Sequence, residues 1–232
     1  MTALDETESL SYSPLASPAV VKSSYDTASS SRAFDVKRVL DITLALIALL
    51  LCAPVMAIVY CLLSISGGAL YAQRRVGKEG ALFICYKFRS MVPNAAAILS
   101  EYLDRNPAAR DEWQRNFKLA DDPRITLFGR WLRRTSIDEL PQLFNVLRGD
   151  MSLVGPRPIV PEEIARYDKK ISAYYSCRPG LTGLWQVSGR NLVSYEKRVA
   201  LDAIYARKRS LGLDLYILGR TVRVVLSGYG AC

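Results

Sequence analysis

The sequence predicts an α-rich α/β domain that is held to a membrane by a helix-break-helix near its N-terminus. The chain has 232 residues, of which 50% are hydrophobic, and this is enough to bury the core of one domain of ordinary size. No residue from Ile42 to Gln73 carries a charge, which indicates a membrane segment. The rest of the chain contains both short strand patterns and amphipathic helix patterns, so strands and helices share the domain.

The composition divides the chain into three parts. Residues 1–33 are rich in serine and acidic side chains and show no apolar periodicity, which predicts a disordered polar tail. Residues 34–66 form the membrane segment, and residues 67–232 form the domain. The chain has a net charge of +9 and its tail is acidic, so the excess of positive charge belongs to the folded part.

Pro54 divides the core of the uncharged run into two arms of similar length, Ile42 to Ala53 and Pro54 to Ile65. At 1.5 Å per residue each arm is about 18 Å long, too short to cross a hydrocarbon core of about 30 Å. Basic residues flank the run on both sides, and positive charge favours the cytoplasmic side. A re-entrant helix broken at Ala53 and Pro54 satisfies this tendency at both ends. One spanning helix with a proline kink is the alternative on hydropathy alone.

The elements of the domain follow from local patterns. Ala69 to Val76 and Ala81 to Arg89 read as short strands around a glycine-containing turn, which predicts a β-hairpin. Residues 94–117 have a helical composition interrupted by Pro107, which predicts two helices. Two amphipathic helices are predicted over residues 195–209 and 213–226. Their Lys and Arg residues suit either the headgroup region of a bilayer or packing on a core with a solvated basic side.

The composition also limits the chemistry. The chain has no histidine, which excludes Ser-His-Asp and Cys-His nucleophile pairs and zinc sites with imidazole ligands. Its five cysteines show no C-x-x-C spacing, which indicates reduced thiols and a cytosol-facing protein. The excess of basic residues predicts a polyanionic partner, which is a nucleic acid, an anionic membrane surface or a phosphorylated substrate.

Adjacent carboxylates at Asp138 and Glu139 are the first candidates for chemistry. Ser136 followed by Glu139 matches a capping box, so one interpretation is structural: Glu139 caps a helix and Asp138 complements its dipole. In the other interpretation, Arg133 and Arg134 keep the carboxylates ionised and Asp138 acts as a nucleophile. A divalent cation held by Asp138 and Glu139 would relieve their repulsion, and oxygen ligands favour Mg²⁺, or Mn²⁺, over zinc.

Two later segments supply candidates for phosphate recognition. Arg157 lies between Pro156 and Pro158, which stiffen the backbone that holds its guanidinium and so suit bidentate phosphate binding. Residues 178–190 supply glycines, an aromatic ring and two arginines, and the candidates there are Arg178, Trp185 and Arg190. On its own, this second segment is equally typical of an ordinary glycine-rich loop.

Five motifs in order resemble one family, over about residues 34–226. They are residues 37–41 (KRVLD), 86–91 (YKFRSM), 138–142 (DELPQ), 154–158 (VGPRP) and the segment 178–190. Together they are similar to the bacterial sugar transferases, the monotopic polyprenyl-phosphate phosphoglycosyl transferases that begin capsule, exopolysaccharide and glycan assembly. The sequence looks most like the exopolysaccharide branch, which transfers galactose 1-phosphate or glucose 1-phosphate from a UDP-sugar to undecaprenyl phosphate.

The resemblance implies a reaction in two steps. Asp138 would attack the phosphorus that bears the sugar, release UMP and form an aspartyl phosphosugar, which undecaprenyl phosphate then attacks. Glu139 would help to hold Mg²⁺ or activate the lipid phosphate. By the same resemblance, basic and aromatic residues handle the phosphates and the nucleotide, and these are Lys87, Arg133, Arg157, Arg178, Trp185 and Arg190.

The resemblance also implies a location and partners. The membrane segment would be re-entrant, and the catalytic domain would lie on the cytoplasmic face of the bacterial inner membrane, in contact with its lipid. UDP-hexose and undecaprenyl phosphate would be the substrates, no nucleic acid would bind, and a homodimer is compatible with the family. One departure is visible: the family commonly has Ser-Pro at the helix break, where this chain has Ala53 and Pro54.

Two other functions are compatible with parts of the sequence. A membrane-anchored basic domain could recruit a polyanion, but that function gives no reason for an ionised Asp138 beside Glu139. A related but catalytically silent scaffold of a polysaccharide assembly complex would not need the intact pair of carboxylates.

Overall fold

The computed structural model describes residues 28–65, 67–116, 118–189 and 193–227. The first 27 residues of the expected tail lie outside these ranges, as does Arg190. Within them the chain is mostly helical and contains two small sheets of two strands each. This architecture agrees with the predicted α-rich α/β class.

The uncharged segment forms one helix, α1, Ala28–Ile65, which starts six residues before the predicted boundary at residue 34. Its part from Val36 to Ile65 is long and apolar enough to cross a membrane by length and composition. Pro54 lies inside α1, so the helix continues through Ala53 and Pro54. The prediction of an interruption there is wrong as regards secondary structure. A proline removes a single backbone donor and crowds one carbonyl, which kinks a long helix without ending it.

The predicted hairpin is confirmed. Strand β1, Leu70–Val76, pairs antiparallel with β2, Leu82–Phe88. The turn between them passes through a short 3-10 helix in which Glu79 and Gly80 have positive φ angles of 60° and 80°. Because the turn is closed by a bond from the Gly77 N–H to the Ala81 carbonyl at 2.7 Å, the register of β2 is fixed.

The helices after the hairpin also follow the sequence pattern. Two helices, α2, Ala95–Arg105, and α3, Pro107–Asn116, confirm the predicted pair, and Pro107 stands at the first position of α3, where proline is tolerated. Helix α4, Leu127–Thr135, and helix α5, Gln142–Arg148, flank the carboxylate pair. Pro141 lies at the start of α5, as its position in the sequence suggested.

A second sheet of two short parallel strands crosses the middle of the domain. It consists of β3, Ser152–Val154, and β4, Gly180–Thr182. The two segments approach so closely that a Cβ atom at Gly180 would lie 2.0 Å from the backbone nitrogen of Gly155. Only glycine permits this contact, so the glycines of these two segments serve the packing of backbone on backbone.

Five helices complete the chain around this sheet: α6, Ile164–Tyr167; α7, Ile171–Tyr175; α8, Leu184–Val187; α9, Tyr195–Lys208; and α10, Leu211–Ser227. The last two confirm the amphipathic helices predicted near the C-terminus. Ser194 caps α9 by accepting the Lys197 N–H. The buried residues of α9 include Arg198 and Asp202, which its basic, amphipathic pattern does not reveal.

Both halves of α1 pack on the domain. In the first half, Ala45 is fully buried in an apolar cluster with residues of α5, β3 and α10. In the second half, Val59 and Leu63 are buried against Phe88 of β2 and Leu132 of α4. The residues around Pro54 are exposed. The two contact regions of α1 therefore lie on either side of the proline.

Polar contacts fix the first half of α1 more firmly. Lys37 Nζ donates to Asp214 Oδ2 at 2.7 Å, and Asp41 Oδ1 accepts the Leu153 N–H at 3.0 Å. Arg38 donates to two carbonyl oxygens at the C-terminal end of α5, those of Val146 and Leu147, at 2.7 and 2.9 Å. These side chains satisfy backbone groups that would otherwise be unpaired, so the basic start of α1 has a structural role.

We predict that Gly180→Ala destabilises the protein severely. The added methyl group would overlap Gly155 and force β3 and β4 apart, and overpacking of this kind typically costs about 1–3 kcal/mol or more. Thermal unfolding in detergent measures the effect. Gly212→Ala is the matched control, because a Cβ atom there meets nothing within 4 Å. An equal loss of stability in both variants would contradict this account of the crossing.

Candidate active site

The carboxylate pair lies in a sharp turn between α4 and α5. Ser136 ends α4 in the left-handed conformation, with φ of 60°, and the short 3-10 helix Ile137–Glu139 follows. The predicted capping box is wrong, because the Ser136 side chain makes no capping bond and the Glu139 carboxylate pairs with a lysine instead. The turn therefore leaves both carboxylates free of the helix ends.

Asp138 is the more buried member of the pair, with only 7% of its surface exposed. Burial and the adjacent charge of Glu139 raise its pKa to about 6, against the opposing influence of Lys87, Arg133 and Arg157. At neutral pH the carboxyl is mostly ionised but poorly solvated. A poorly solvated carboxylate is a better nucleophile than a fully hydrated one.

Lys87 keeps the neighbouring Glu139 ionised. Lys87 Nζ, on β2, donates to Glu139 Oε1 at 2.6 Å. Burial alone would raise the pKa of Glu139, but the charges of Lys87 and Arg157 outweigh it and hold the pKa at about 2. The pKa of Asp138 is thus well above that of the adjacent Glu139, and this difference gives the two carboxyls distinct roles in acid-base chemistry.

Arg133 approaches Asp138 from α4. Its Nε donates to the Ser90 hydroxyl at 2.9 Å, which fixes the orientation of the guanidinium, and its charge opposes the rise in the pKa of Asp138. Helix α4 lies tightly on the chain at Ser90, because a Cβ atom at Gly129 would be 1.9 Å from the Ser90 carbonyl oxygen. The small residue at Gly129 therefore sets how closely Arg133 approaches the pair.

Hydrogen bonds to the residues on both sides of Arg157 fix its backbone. The carbonyl of Pro156 accepts the Gly180 N–H at 2.7 Å, and the carbonyl of Pro158 accepts a bond from Arg75 at 3.0 Å. Its guanidinium carbon lies 5.7 Å from the centre of the Trp185 ring. Among the described residues no acceptor receives a hydrogen bond from its guanidinium, although its charge lowers the pKa of both Asp138 and Glu139. It is therefore available to bind an anion.

The sequence profile of the family described as bacterial sugar transferase matches residues 32–228. The chain belongs to this family. It is 52% identical over 196 residues to undecaprenyl-phosphate galactose phosphotransferase of Salmonella typhimurium, covering 84% of this chain and 41% of that protein. It is 47% identical over 197 residues to exopolysaccharide production protein ExoY of Sinorhizobium fredii, covering 84% of this chain and 87% of that protein. The chain thus spans about two fifths of the first relative and most of the second.

The structure of this bacterial sugar transferase brings three of the predicted basic residues to the carboxylate pair. Lys87 bonds to Glu139, and the charges of Lys87, Arg133 and Arg157 all act on Asp138. Trp185 is buried, with only 2% of its surface exposed, and its ring lies next to the guanidinium of Arg157. It therefore contacts an arginine of the site and does not offer an exposed ring on which a nucleotide base could stack.

Arg178 is placed elsewhere by its described hydrogen bond. Its Nε donates to the carbonyl of Gly149 at 2.8 Å, directly after α5. Burial and the nearby charge of Arg38 lower its pKa, which places these two arginines together at the C-terminal end of α5. The predicted role of Arg178 in phosphate binding does not follow from this position, because its guanidinium serves the helix end. Arg190 lies outside the described residues.

Asn145 supports the site but does not stand out in the sequence. Its amide Nδ2 donates to the Ile84 carbonyl at 2.6 Å, and its Oδ1 accepts the Tyr86 N–H at 3.1 Å, so it pairs with β2 as another strand would. It therefore ties α5, which follows Glu139, to the strand that carries Lys87. The available signal was a polar residue within the apolar stretch from Leu143 to Leu147.

The donor set of the pair fits a hard cation. Asp138 and Glu139 offer carboxylate oxygens, and the described residues contain no cluster of three or more acidic, cysteine or histidine side chains that could enclose a metal. Mg²⁺ is typically bound by one or two carboxylates together with substrate phosphates and water. A site of two carboxylates beside Arg133 and Arg157 suits this mode, in which the substrate completes the coordination.

Proposed function

We propose that this chain transfers a hexose 1-phosphate, galactose or glucose, from a UDP-sugar to undecaprenyl phosphate and releases UMP. The observation that carries the proposal is the buried, largely ionised Asp138 beside Glu139, with Lys87 bonded to Glu139 and the charges of Lys87, Arg133 and Arg157 acting on Asp138. Two relatives that support it are named undecaprenyl-phosphate galactose phosphotransferase and, in Erwinia amylovora, UDP-galactose-lipid carrier transferase. The reaction would be the first membrane step of exopolysaccharide or capsule synthesis.

In the first step a carboxylate oxygen of Asp138 attacks the phosphorus that bears the sugar. The new bond joins this oxygen to phosphorus, the bond from phosphorus to the bridging oxygen breaks, and UMP leaves with the electron pair. Negative charge accumulates on the phosphate oxygens during the transfer, and the guanidinium groups of Arg133 and Arg157 stabilise it. The product is an aspartyl phosphosugar.

In the second step an oxygen of undecaprenyl phosphate attacks the same phosphorus. The bond to Asp138 breaks, the carboxylate is regenerated, and the lipid diphosphate sugar leaves. Glu139 stays ionised throughout because Lys87 is bound to it, so it does not compete with Asp138 for a proton. Asp138 and Glu139 would hold Mg²⁺, or Mn²⁺, which supplies charge neutralisation for the phosphate oxygens when bound.

The proposal includes a re-entrant arrangement of α1 on the cytoplasmic face of the inner membrane. It is supported by the buried positions of Ala45 and Val59, which lie on opposite sides of Pro54 and both pack on the same domain. A helix that crossed the bilayer would carry its second half away from a domain that its first half contacts. Basic residues at both ends of the apolar run agree with one cytoplasmic face.

Replacing the nucleophile tests the reaction directly. We predict that Asp138→Asn abolishes both UMP release and lipid product, because an amide cannot form the acyl phosphate. The assay supplies purified protein in nanodiscs with Mg²⁺, undecaprenyl phosphate and a panel of UDP-sugars. Asp121→Asn is the matched control, since the Asp121 side chain is 93% exposed. Substantial turnover by Asp138→Asn would remove Asp138 from the nucleophile role, and no turnover by the unaltered protein would favour the silent scaffold.

The pH dependence of UMP release gives a second test. The rate should fall as the pH drops through about 6, because Asp138 is then protonated and no longer nucleophilic. The charge of Lys87 lowers the pKa of Asp138, so Lys87→Met should move this fall to higher pH. Profiles of kcat/KM between about pH 5 and 8 measure both effects. Lys78→Met, in the hairpin turn, is the control; a profile shared by all three proteins would contradict the assignment.

Labelling of engineered cysteines tests the membrane arrangement. We expect Ser11→Cys in the tail and Leu82→Cys in β2, each in a background without the native cysteines, to react with an impermeant reagent from the cytoplasmic side only. Leu82 is suitable because 58% of its surface is exposed. Inverted and right-side-out vesicles give the two sides. Reaction of the two cysteines from opposite sides would establish a spanning helix instead.

A further inference from the structure

Two arginines share one aromatic ring beside the carboxylate pair. The guanidinium carbon of Arg198, on α9, lies 4.3 Å from the centre of the Trp185 ring and 5.4 Å from that of Tyr195. The guanidinium carbon of Arg157 lies 5.7 Å from the same Trp185 ring. Because Arg157 also acts on Asp138 and Glu139, this pair of arginines adjoins the site of phosphoryl transfer.

Neither guanidinium makes a hydrogen bond or an ion pair with a described residue. Arg198 is 93% buried, with 7% of its surface exposed, and its Nε is a buried donor without an acceptor. The Nε1 of Trp185, whose ring both arginines approach, is a second buried donor without an acceptor among the described residues. Buried donors are almost always paired in folded proteins, so a group of donors around one ring that no described residue pairs indicates a place where an added acceptor can bind.

The acidic residues nearby do not supply that acceptor. Glu163 accepts the Val160 N–H at 2.9 Å and the Tyr195 hydroxyl at 3.3 Å, and it lies 3.9 Å from Arg75. Asp202, one turn beyond Arg198 on α9, accepts the Tyr167 hydroxyl at 2.8 Å through one oxygen, and its other oxygen has no described partner. The aromatic rings attract the buried cations but offer their guanidinium N–H groups no conventional acceptor.

The charges of this region agree with an anion site. Burial lowers the pKa of Arg198, and so does the charge of Arg157. Burial and Arg157 likewise lower the pKa of Arg75, which lies on β1. Burial also raises the pKa of Asp202 to about 7, against the charges of Arg198 and Arg157, so Asp202 is an incomplete counter-ion for the two arginines at neutral pH. A dianionic ligand would relieve the repulsion among these arginines.

We propose that Arg198 and Arg157 form a subsite for a phosphomonoester group and that UMP and undecaprenyl phosphate occupy it in turn. The proposal rests on the proposed function. Planar guanidinium groups bind phosphate oxygens through two parallel N–H donors, which suits the dianion of a phosphate monoester. Trp185 contacts both arginines, and its Nε1–H offers a further donor.

The order of the reaction explains why one subsite serves both ligands. In-line displacement places the leaving oxygen opposite the attacking oxygen of Asp138. In the second step Asp138 is the leaving group, so the lipid phosphate must attack from the side that UMP has vacated. The arginines that bind the phosphate of UMP as it leaves therefore lie where the phosphate of the lipid arrives.

Binding measurements on three variants test the subsite. Arg198→Met removes the donors and keeps the hydrocarbon stem, Arg198→Lys keeps the charge, and Lys197→Met is the control because Lys197 is exposed on the same helix. The probes are UMP, uridine and a soluble short-chain polyprenyl phosphate, titrated calorimetrically with Mg²⁺. Arg198→Met should weaken UMP and polyprenyl phosphate about 10- to 100-fold, with uridine unchanged. Arg198→Lys should fall between, and Lys197→Met should change binding less than about twofold.

Several results would overturn the proposal. They are unchanged UMP binding by Arg198→Met, an equal loss for uridine, and a loss for UMP without one for polyprenyl phosphate. If Arg198→Met does not fold, the test uses Arg198→Lys and the unaltered protein. UMP should raise the unfolding temperature of the unaltered protein more than uridine does. Equal shifts would overturn the subsite. These readouts need no turnover, so failure of the unaltered protein to release UMP would refute the proposed function separately.

Discussion

The ion pair between Lys87 and Glu139 is the interaction on which the site depends. It joins β2 to the turn after α4, two segments 52 residues apart in the chain, at 2.6 Å. It also decides the charge of each carboxyl. Glu139 is thereby kept as an anion. Asp138 is then the carboxyl of the pair that gains or loses a proton near neutral pH, because burial raises its pKa to about 6. Adjacent carboxylates without such a cation would share their protons and neither would have a defined role.

The rest of the fold holds the two ends of this ion pair at a fixed distance. Asn145 binds α5 to β2 through backbone groups of Ile84 and Tyr86, and Gly129 lets α4 lie on the chain at Ser90. The apolar residues on either side of the pair extend this support to α1. Ile137 packs in the cluster that contains Val59, and Leu140 packs in the cluster that contains Ala45. The carboxylates thus lie between the contacts that the two halves of α1 make with the domain.

Local patterns were sufficient for most of the elements. The hairpin, the two helices around Pro107 and the two C-terminal helices all form where alternation, proline and amphipathic spacing placed them. The carboxylate pair and Arg133 were also visible, because charged residues close in sequence limit the chemistry, and Arg157 stood out between two prolines. Lys87 was expected only from the resemblance to the family. What could not be predicted was long-range pairing. Arg178 and Arg198 look alike in sequence, yet one donates to a carbonyl at the end of α5 and the other is buried against two aromatic rings.

The failed capping box shows the physical reason for this limit. A serine followed three residues later by glutamate gains about 1 kcal/mol as a cap when the helix starts at that serine. Here Ser136 instead ends the preceding helix in a left-handed conformation, and α5 begins only after Pro141. Once the backbone takes this path, Glu139 has no helix end to cap and meets Lys87 from β2. The same four residues can therefore cap a helix or present two carboxylates, and the choice depends on a strand that is distant in sequence.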